Sequence, residues 1–259
     1  MDVRRKFAVA GATGRVGQHV VEVLMEQGHD TVAMSRSGGV DVVTGKGLDE
    51  ALTGVDTVID VSSTPSPDQR EATDFFTAAA GNLHEAGVRA GVRRLVVVSI
   101  IGIDRGFTTG YNAAKLAHER AALAGPVPTQ ILRAAQFHEF VPQLLQWGTQ
   151  GETAYVPEMR TQLVAARTVA EALVALAVAP APEPGTAAAP FPEIAGPREE
   201  DLAQVASLYS ARHGSAVKVI AVTNPDDPDA HLFADGSLLP SPHARLAGPT
   251  FEEWVNAER

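Results

Sequence analysis

Short apolar runs alternate with stretches of helical periodicity through the first half of the chain, and this alternation constrains the fold more than any other feature. Phe7–Ala10 is a compact apolar run. It leads into Gly11-Ala12-Thr13-Gly14-Arg15-Val16-Gly17, after which Val16, Val20, Val21, Val23 and Leu24 recur at helical spacing up to Gly28. Thr31–Met34 and Val40–Val43 read as the next two strands, and Leu48–Leu52 as a short helix. Thr57–Val61 reads as a strand ending in Ser62-Ser63-Thr64-Pro65. A helix over 68–90, a buried strand over Leu95–Ser99, a helix over Tyr111–Ala124 and a strand over Thr129–Leu132 complete the series. Strands separated by helices of this kind imply βαβ units and a parallel sheet covered on both faces. The unbroken apolar run Leu95-Val96-Val97-Val98 fits that burial.

Beyond about residue 150 the texture changes. Pro180, Pro182, Pro184, Pro190 and Pro192 fall in an Ala-rich stretch that reads as a turn-rich connection or surface loop. A helix (Arg198–Arg212), a strand (Val217–Val222) and a Pro/Asp-rich turn (Pro225–Asp229) follow. The expected class is α/β, a doubly wound parallel sheet over residues 1–150, with a small C-terminal α/β lobe over 151–259 integrated with it and walling a substrate pocket.

Composition narrows the function. The 259 residues include no cysteine, which excludes disulfide scaffolds, thiolate metal sites and thiol nucleophiles. A formal charge of −10 argues against a nucleic-acid surface and against a polybasic membrane anchor. Arg4, Arg5 and Lys6 before Phe7 imitate the start of a signal peptide, but the apolar run stops at Gly11, too short for one. No apolar stretch reaches the roughly 18 residues that a membrane helix needs. The expectation is a cytoplasmic protein acting on a small molecule, with no nucleic-acid or membrane partner. The eight histidines are dispersed, and neither His118-Glu119 nor His138-Glu139 has the second His of a zinc helix, so no metal site is expected.

Gly11, Gly14 and Gly17 stand where the first strand hands over to its helix. A pyrophosphate there needs backbone approach without a Cβ, a tight turn and free N–H groups at a helix N-terminus. The spacing is G-x-x-G-x-x-G rather than the usual dinucleotide G-x-G-x-x-G. Thr13, Arg15 and Val16 complete the loop. At the end of the second strand an NAD site places a carboxylate and an NADP site an Arg. Here stand Ser35, Arg36 and Ser37, with no acid before Asp41. Arg36 can pair with a 2′-phosphate, aided by the two serines and by Arg15. NADP(H) is the expected cofactor, with NAD(H) possible. Ser62, Ser63 and Thr64 are expected along the phosphate–ribose path.

The glycine loop, Arg36, Ser99-Ile100-Ile101-Gly102-Ile103-Asp104, Tyr111-Asn112-Ala113-Ala114-Lys115 and Leu132-Arg133-Ala134-Ala135-Gln136-Phe137 together resemble an atypical short-chain dehydrogenase/reductase, closest to the NmrA-like NAD(P)H-binding branch. The resemblance covers about residues 6–170 and implies a Rossmann-like fold. It implies first an NADPH-dependent reductase of a carbonyl, quinone or conjugated substrate and, as the competing class, a redox sensor that binds a protein partner without catalysis; an epimerase or isomerase that recycles its bound cofactor is the third alternative. A homodimer is compatible with any of them.

Tyr111 and Lys115 stand four residues apart and emerge from one helix face. The resemblance makes Tyr111 the proton donor. It makes Lys115 the group that lowers the phenol's pKa and binds the nicotinamide ribose. Ser99, at the C-terminal end of its strand, would polarise the substrate oxygen. Asn82 is either a member of a water relay or simply a polar residue on its helix. Ala134, Ala135, Gln136 and Phe137 are expected to meet the nicotinamide amide through their backbone. Gln136, Phe137 and His138 are expected to shape the substrate mouth. The run Val43-Thr44-Gly45-Lys46-Gly47 lacks the Asp that commonly contacts adenine in the family.

Overall fold

The structure is a computed structural model that describes residues 4–180, 190–215 and 217–257. The chain divides into two compact units. The first comprises Met1–Ser99, Gly110–Leu132 and Val169–Pro192. It runs β1 (Lys6–Ala10), α1 (Arg15–Glu26), β2 (Asp30–Met34), α2 (Leu48–Ala51), β3 (Thr57–Asp60), α3 (Gln69–Ala90), β4 (Arg94–Ile100), α4 (Gly110–Ala124) and β5 (Thr129–Ala134). Its strands lie in the order β5-β4-β3-β1-β2, and β1 pairs in parallel with both β2 and β3.

The local reasons are those of an α/β sheet. Every residue of β3 is buried, so both of its faces carry apolar side chains. Val16, Val20, Val23 and Leu24 form the buried stripe of α1, which stops before Gly28 at φ +78°. Asp68 caps α3 by accepting from the Glu71 amide, and Gly91 ends that helix in the left-handed region. The core gathers Met34, Leu48, Leu52, Val58, Leu83, Leu95, Val97 and Ile131. In register, Ala10 stands opposite Met34 on one side and Asp60 on the other. The loops after β1, β2 and β3 therefore leave the sheet side by side.

The expected strand at Val40–Val43 does not form. The Asp41 carboxylate accepts from the Val43 and Thr44 amides, and Asn82 Nδ2 donates to the Val42 and Val43 carbonyls at 2.9 and 2.7 Å. Side chains thus take the backbone groups that a strand would have spent on a ladder. The same two bonds make Asn82 a latch on this loop through its amide nitrogen.

The second unit comprises Ile100–Thr109, Arg133–Thr168 and Glu193–Arg259. Its elements are α5 (Val141–Gly148), β6 (Thr149–Gln150), β7 (Thr153–Pro157), β8 (Arg160–Thr161), α6 (Ala166–Val178, which begins here), β9 (Glu193–Ala195), β10 (Glu200–Asp201), α7 (Leu202–Arg212), β11 (Lys218–Val222), α8 (Ala230–Ala234), β12 (Arg245–Leu246) and α9 (Phe251–Ala257). The end of β5 pairs with β9, and β9 with β12, all in parallel, so that the ladder counts seven strands in the order β12-β9-β5-β4-β3-β1-β2. A separate three-stranded sheet runs β11-β7-β6. The helix expected from Arg198 starts instead at Leu202. Glu200 and Asp201 pair antiparallel with Thr161 and Arg160, and the Asp201 carboxylate then caps the helix at the Gln204 amide. Asp229 accepts from the amides and hydroxyls of Thr108 and Thr109, which anchors the Pro/Asp-rich turn. Of the proline-rich stretch, residues 181–189 lie outside the described residues.

Candidate functional site

The turn between β1 and α1 holds two glycines, Gly11 and Gly17, that leave no room for a side chain. Gly11 has φ +77°, and a Cβ on it would lie 2.8 Å from Ser62 Cα and Val61 O. A Cβ on Gly17 would lie 2.1 Å from the Gly11 carbonyl oxygen. The first glycine lets β1 approach the chain after β3, and the third lets the helix close on its own turn. Gly14 is the N-cap of α1, with no side-chain cap and no acidic residue in the first turn. The first-turn amides and the positive end of the helix dipole are therefore left for an anion. Thr13, Gly14 and Arg15 are exposed, while Val16 and Gly17 are buried and contribute backbone only.

At the end of β2, Ser35 caps a single 3₁₀ turn over Arg36–Gly38. Its hydroxyl accepts from the Gly38 amide and lies 3.1 Å from Ser37 Oγ. Arg36 is exposed at the head of that turn. No carboxylate stands in the turn, and its one charged side chain is the cation of Arg36.

After β3 the chain turns through Ser62, Ser63 and Thr64. Ser62 is buried and its amide donates to Asp60 Oδ1 at 2.9 Å. Ser63 is exposed, and its hydroxyl lies 2.9 Å from the phenol oxygen of Tyr111. Tyr111 stands in the first turn of α4 with its ring edge on Phe76, 5.6 Å between centroids. Burial pushes its phenol above the ordinary range, against a smaller opposing pull from Ser63. The sequence expectation was the reverse, a phenol lowered by Lys115. Burial is the cause, while Lys115 spends its amine on other groups.

Lys115 is buried and donates to the Val98 carbonyl at 2.8 Å, with His118 Nδ1 also at 2.8 Å. Its amine sits 4.5 Å from the centre of the Phe76 ring. Burial lowers its pKa to about 8, although Asp60 and Glu119 pull it upward. Ser99, at the end of β4, is 2% exposed, and its hydroxyl has no partner among the described residues. Asp60 and His118 were not singled out from the sequence as site residues. The available signals were an acid closing an otherwise apolar strand and a histidine three residues after Lys115 on the same helix face.

The residues expected around the substrate mouth belong to the second unit. The Ala135 amide donates to the Ile194 carbonyl at 2.9 Å, so that N–H is already used. Gln136 Oε1 accepts from the Thr161 hydroxyl at 2.7 Å, and Phe137 bridges Val164. His138 does not line a mouth. It is fully buried, its Nε2 donates to the Pro249 carbonyl at 3.1 Å, and its ring packs against Phe251 and Trp254. An imidazole with two aromatic neighbours and one carbonyl acceptor is a core group. Among the described residues no helix is long and apolar enough to cross a membrane.

Residues 11–180 match a family model described as NAD(P)H-binding. No curated protein sequence matches the chain at a significant level. Among solved structures, the Bordetella bronchiseptica enzyme WbmG in complex with NAD superposes with a TM-score of 0.69 at 15% identity, covering 99% of this chain and 93% of that one. UDP-N-acetylglucosamine 4-epimerase from Bacillus cereus gives 0.67 at 19% identity, with 98% and 94% covered. A short-chain dehydrogenase/reductase superfamily protein from Agrobacterium tumefaciens with bound NAD gives 0.65 at 19%, with 98% and 95% covered. At these identities the likeness is one of fold.

Proposed function

The chain belongs to the NAD(P)H-binding family, and from that premise we propose an NADPH-dependent oxidoreductase that reduces a small carbonyl, quinone or conjugated substrate. The observation that carries this reading is the uncapped N-terminus of α1 behind a cradle that a Cβ at Gly11 or Gly17 would fill. Those residues fit a pyrophosphate, and Arg36 with Arg15 fits a 2′-phosphate. When bound, the reduced nicotinamide supplies a hydride.

The chain's own groups do the rest. Tyr111, held above the ordinary phenol range by burial, keeps its proton at neutral pH. Reduction needs a proton donor at the substrate oxygen as the carbon is reduced, and a protonated phenol is that donor. Ser63 holds the phenol oxygen in place, and the buried Ser99 hydroxyl is the group assigned to polarise the substrate oxygen. An epimerase, the activity in the name of the Bacillus cereus neighbour, first takes a proton from a hydroxyl and needs the phenolate. The inward pose of Lys115 favours a second reading, a dinucleotide-binding sensor that does not turn over.

Fluorescence titration with NADPH and NADH, followed by turnover across a panel of quinones and ketones, tests these readings. NADPH is expected to bind about tenfold more tightly than NADH, and Arg36→Ala to erase that preference. Tyr111→Phe is expected to keep cofactor affinity and lose about 100-fold or more in turnover. Binding without consumption across the panel selects the sensor, and no binding of either cofactor removes both.

A further inference from the structure

Phe76 of α3, fully buried, carries more than Tyr111 on its ring. His118 stacks on it at 4.7 Å and 19°, and the Lys115 amine lies over it. Both polar groups are buried, as is Asp60, whose Oδ2 lies 3.3 Å from His118 Nε2. Neither of those two atoms makes a hydrogen bond to a described residue, so their 3.3 Å approach is a charge contact between two buried polar atoms.

The three side chains form a line: Asp60 at the end of β3, then His118 and Lys115 on α4. A carboxylate facing Nε2 selects the tautomer that carries its proton there. Nδ1 then presents a lone pair, which is what the Lys115 amine needs at 2.8 Å. The other tautomer would set an N–H against the amine and a lone pair against the carboxylate. Burial, then the neighbouring Lys115, keep the imidazole neutral against the pull of Asp60 and Glu119. Burial raises the Asp60 carboxyl, but His118 and Ser62 outweigh it and keep the group ionised.

We infer that His118, oriented by Asp60, is a positioning residue that fixes where Lys115 places its amine. The consequence for cofactor binding rests on the oxidoreductase reading, which assigns Lys115 to the nicotinamide ribose; the arrangement itself does not. The groups facing Lys115 are Asp60 from β3, the Val98 carbonyl from β4, the Phe76 ring from α3, and His118 and Glu119 on its own helix.

The test is an NMR titration of the protein labelled at lysine Cε. The chain has four lysines, and Lys115→Arg assigns the signal. In the wild type the Lys115 signal is expected to titrate near pH 8. His118→Leu removes an acceptor from a buried ammonium and is expected to lower the midpoint by about one pH unit, tenfold in proton affinity. Asp60→Asn is expected to lower it in the same direction. His118→Gln, whose amide oxygen can accept from the amine while its nitrogen faces Asp60, is expected to hold within about 0.3 unit of the wild type. A midpoint unmoved by His118→Leu, or moved equally by the Gln and Leu variants, overturns the inference. If the Leu variant does not fold by circular dichroism, Asp60→Asn against His118→Gln decides, and equal midpoints overturn it. NADPH titration of the same variants separates the two layers. Shifted midpoints in a protein that binds no dinucleotide leave the positioning intact and remove the function, and the converse removes the positioning alone.

Discussion

The turn that opens α1 and the buried face of α4 lie in one compact unit and are built on opposite principles. The turn is made of backbone: two glycines packed against carbonyls, an exposed third, and first-turn amides with no side-chain cap. The α4 face is made of side chains: a phenol on a serine hydroxyl, and an amine, an imidazole and a carboxylate dried out around Phe76. In the first region function is written in spacing, because a peptide amide points where its φ and ψ send it. In the second it is written in packing, because a lysine on the right face of a helix still has several rotamers, and its neighbours choose among them.

The largest expected effect tests the rigidity of the first region. Gly17→Ala sets a methyl 2.1 Å from the Gly11 oxygen and 2.8 Å from Ala12 Cα, both backbone atoms. No side-chain rotamer relieves that, so β1 and α1 must part. A loss of about 4 kcal/mol or more in urea unfolding is expected, with dinucleotide binding lost alongside. A variant within about 1 kcal/mol of the wild type would mean that the cradle is soft, and the contrast with α4 would fail.

This contrast also sorts what could be read from the sequence. The alternation of apolar runs and helical stretches located β1, α1, α3, β4, α4 and β5, because fully buried strands must be apolar on both faces. It failed at Val40–Val43, which has strand composition but spends its backbone on Asp41 and Asn82, residues that sequence distance hides from each other. It misplaced the start of α7 by four residues, because the pairing of Glu200–Asp201 with Arg160–Thr161 takes precedence over helical periodicity. The glycine turn was legible, since its spacing is its mechanism. The spacing of Tyr111 and Lys115 located a helix face, whereas the lowered phenol that the resemblance implied meets a burial that raises it, and burial of one side chain is not written in a four-residue spacing.

His138 offers a second side-chain test, of intermediate size. It was read as part of a mouth and stands in a core, where burial outweighs the Pro249 carbonyl and lowers its pKa to about 4. The native state holds it neutral, while the unfolded chain takes up a proton below the ordinary value near 6.5. Its contribution is therefore complete above about pH 6.5 and is lost as the pH falls toward about 4, to a total of about 3 kcal/mol. His138→Phe is expected to flatten that part of the stability–pH curve in urea midpoints measured between pH 4 and 7. An unchanged slope would return His138 to solvent and to the mouth.

The smallest effect separates binding from folding in the backbone region. A Cβ on Gly14 would lie 3.2 Å from the Gly11 oxygen, a contact that yields by a few tenths of an ångström, and its backbone is at φ −79°, ψ 173°, open to any residue. Gly14→Ala is therefore expected to cost less than about 1 kcal/mol in stability. Its methyl, however, stands at the exposed N-cap beside the amides offered to a pyrophosphate. An anion bound by those amides must approach within hydrogen-bond distance of them, so the added carbon is expected to weaken NADPH by about tenfold while leaving the melting temperature within a few degrees. Gly17→Ala loses binding because the turn is gone; Gly14→Ala loses it with the turn intact. An alanine at 14 that binds NADPH as the wild type does would mean that the phosphates sit elsewhere, and that the glycines of this turn serve only the packing of α1 on β1.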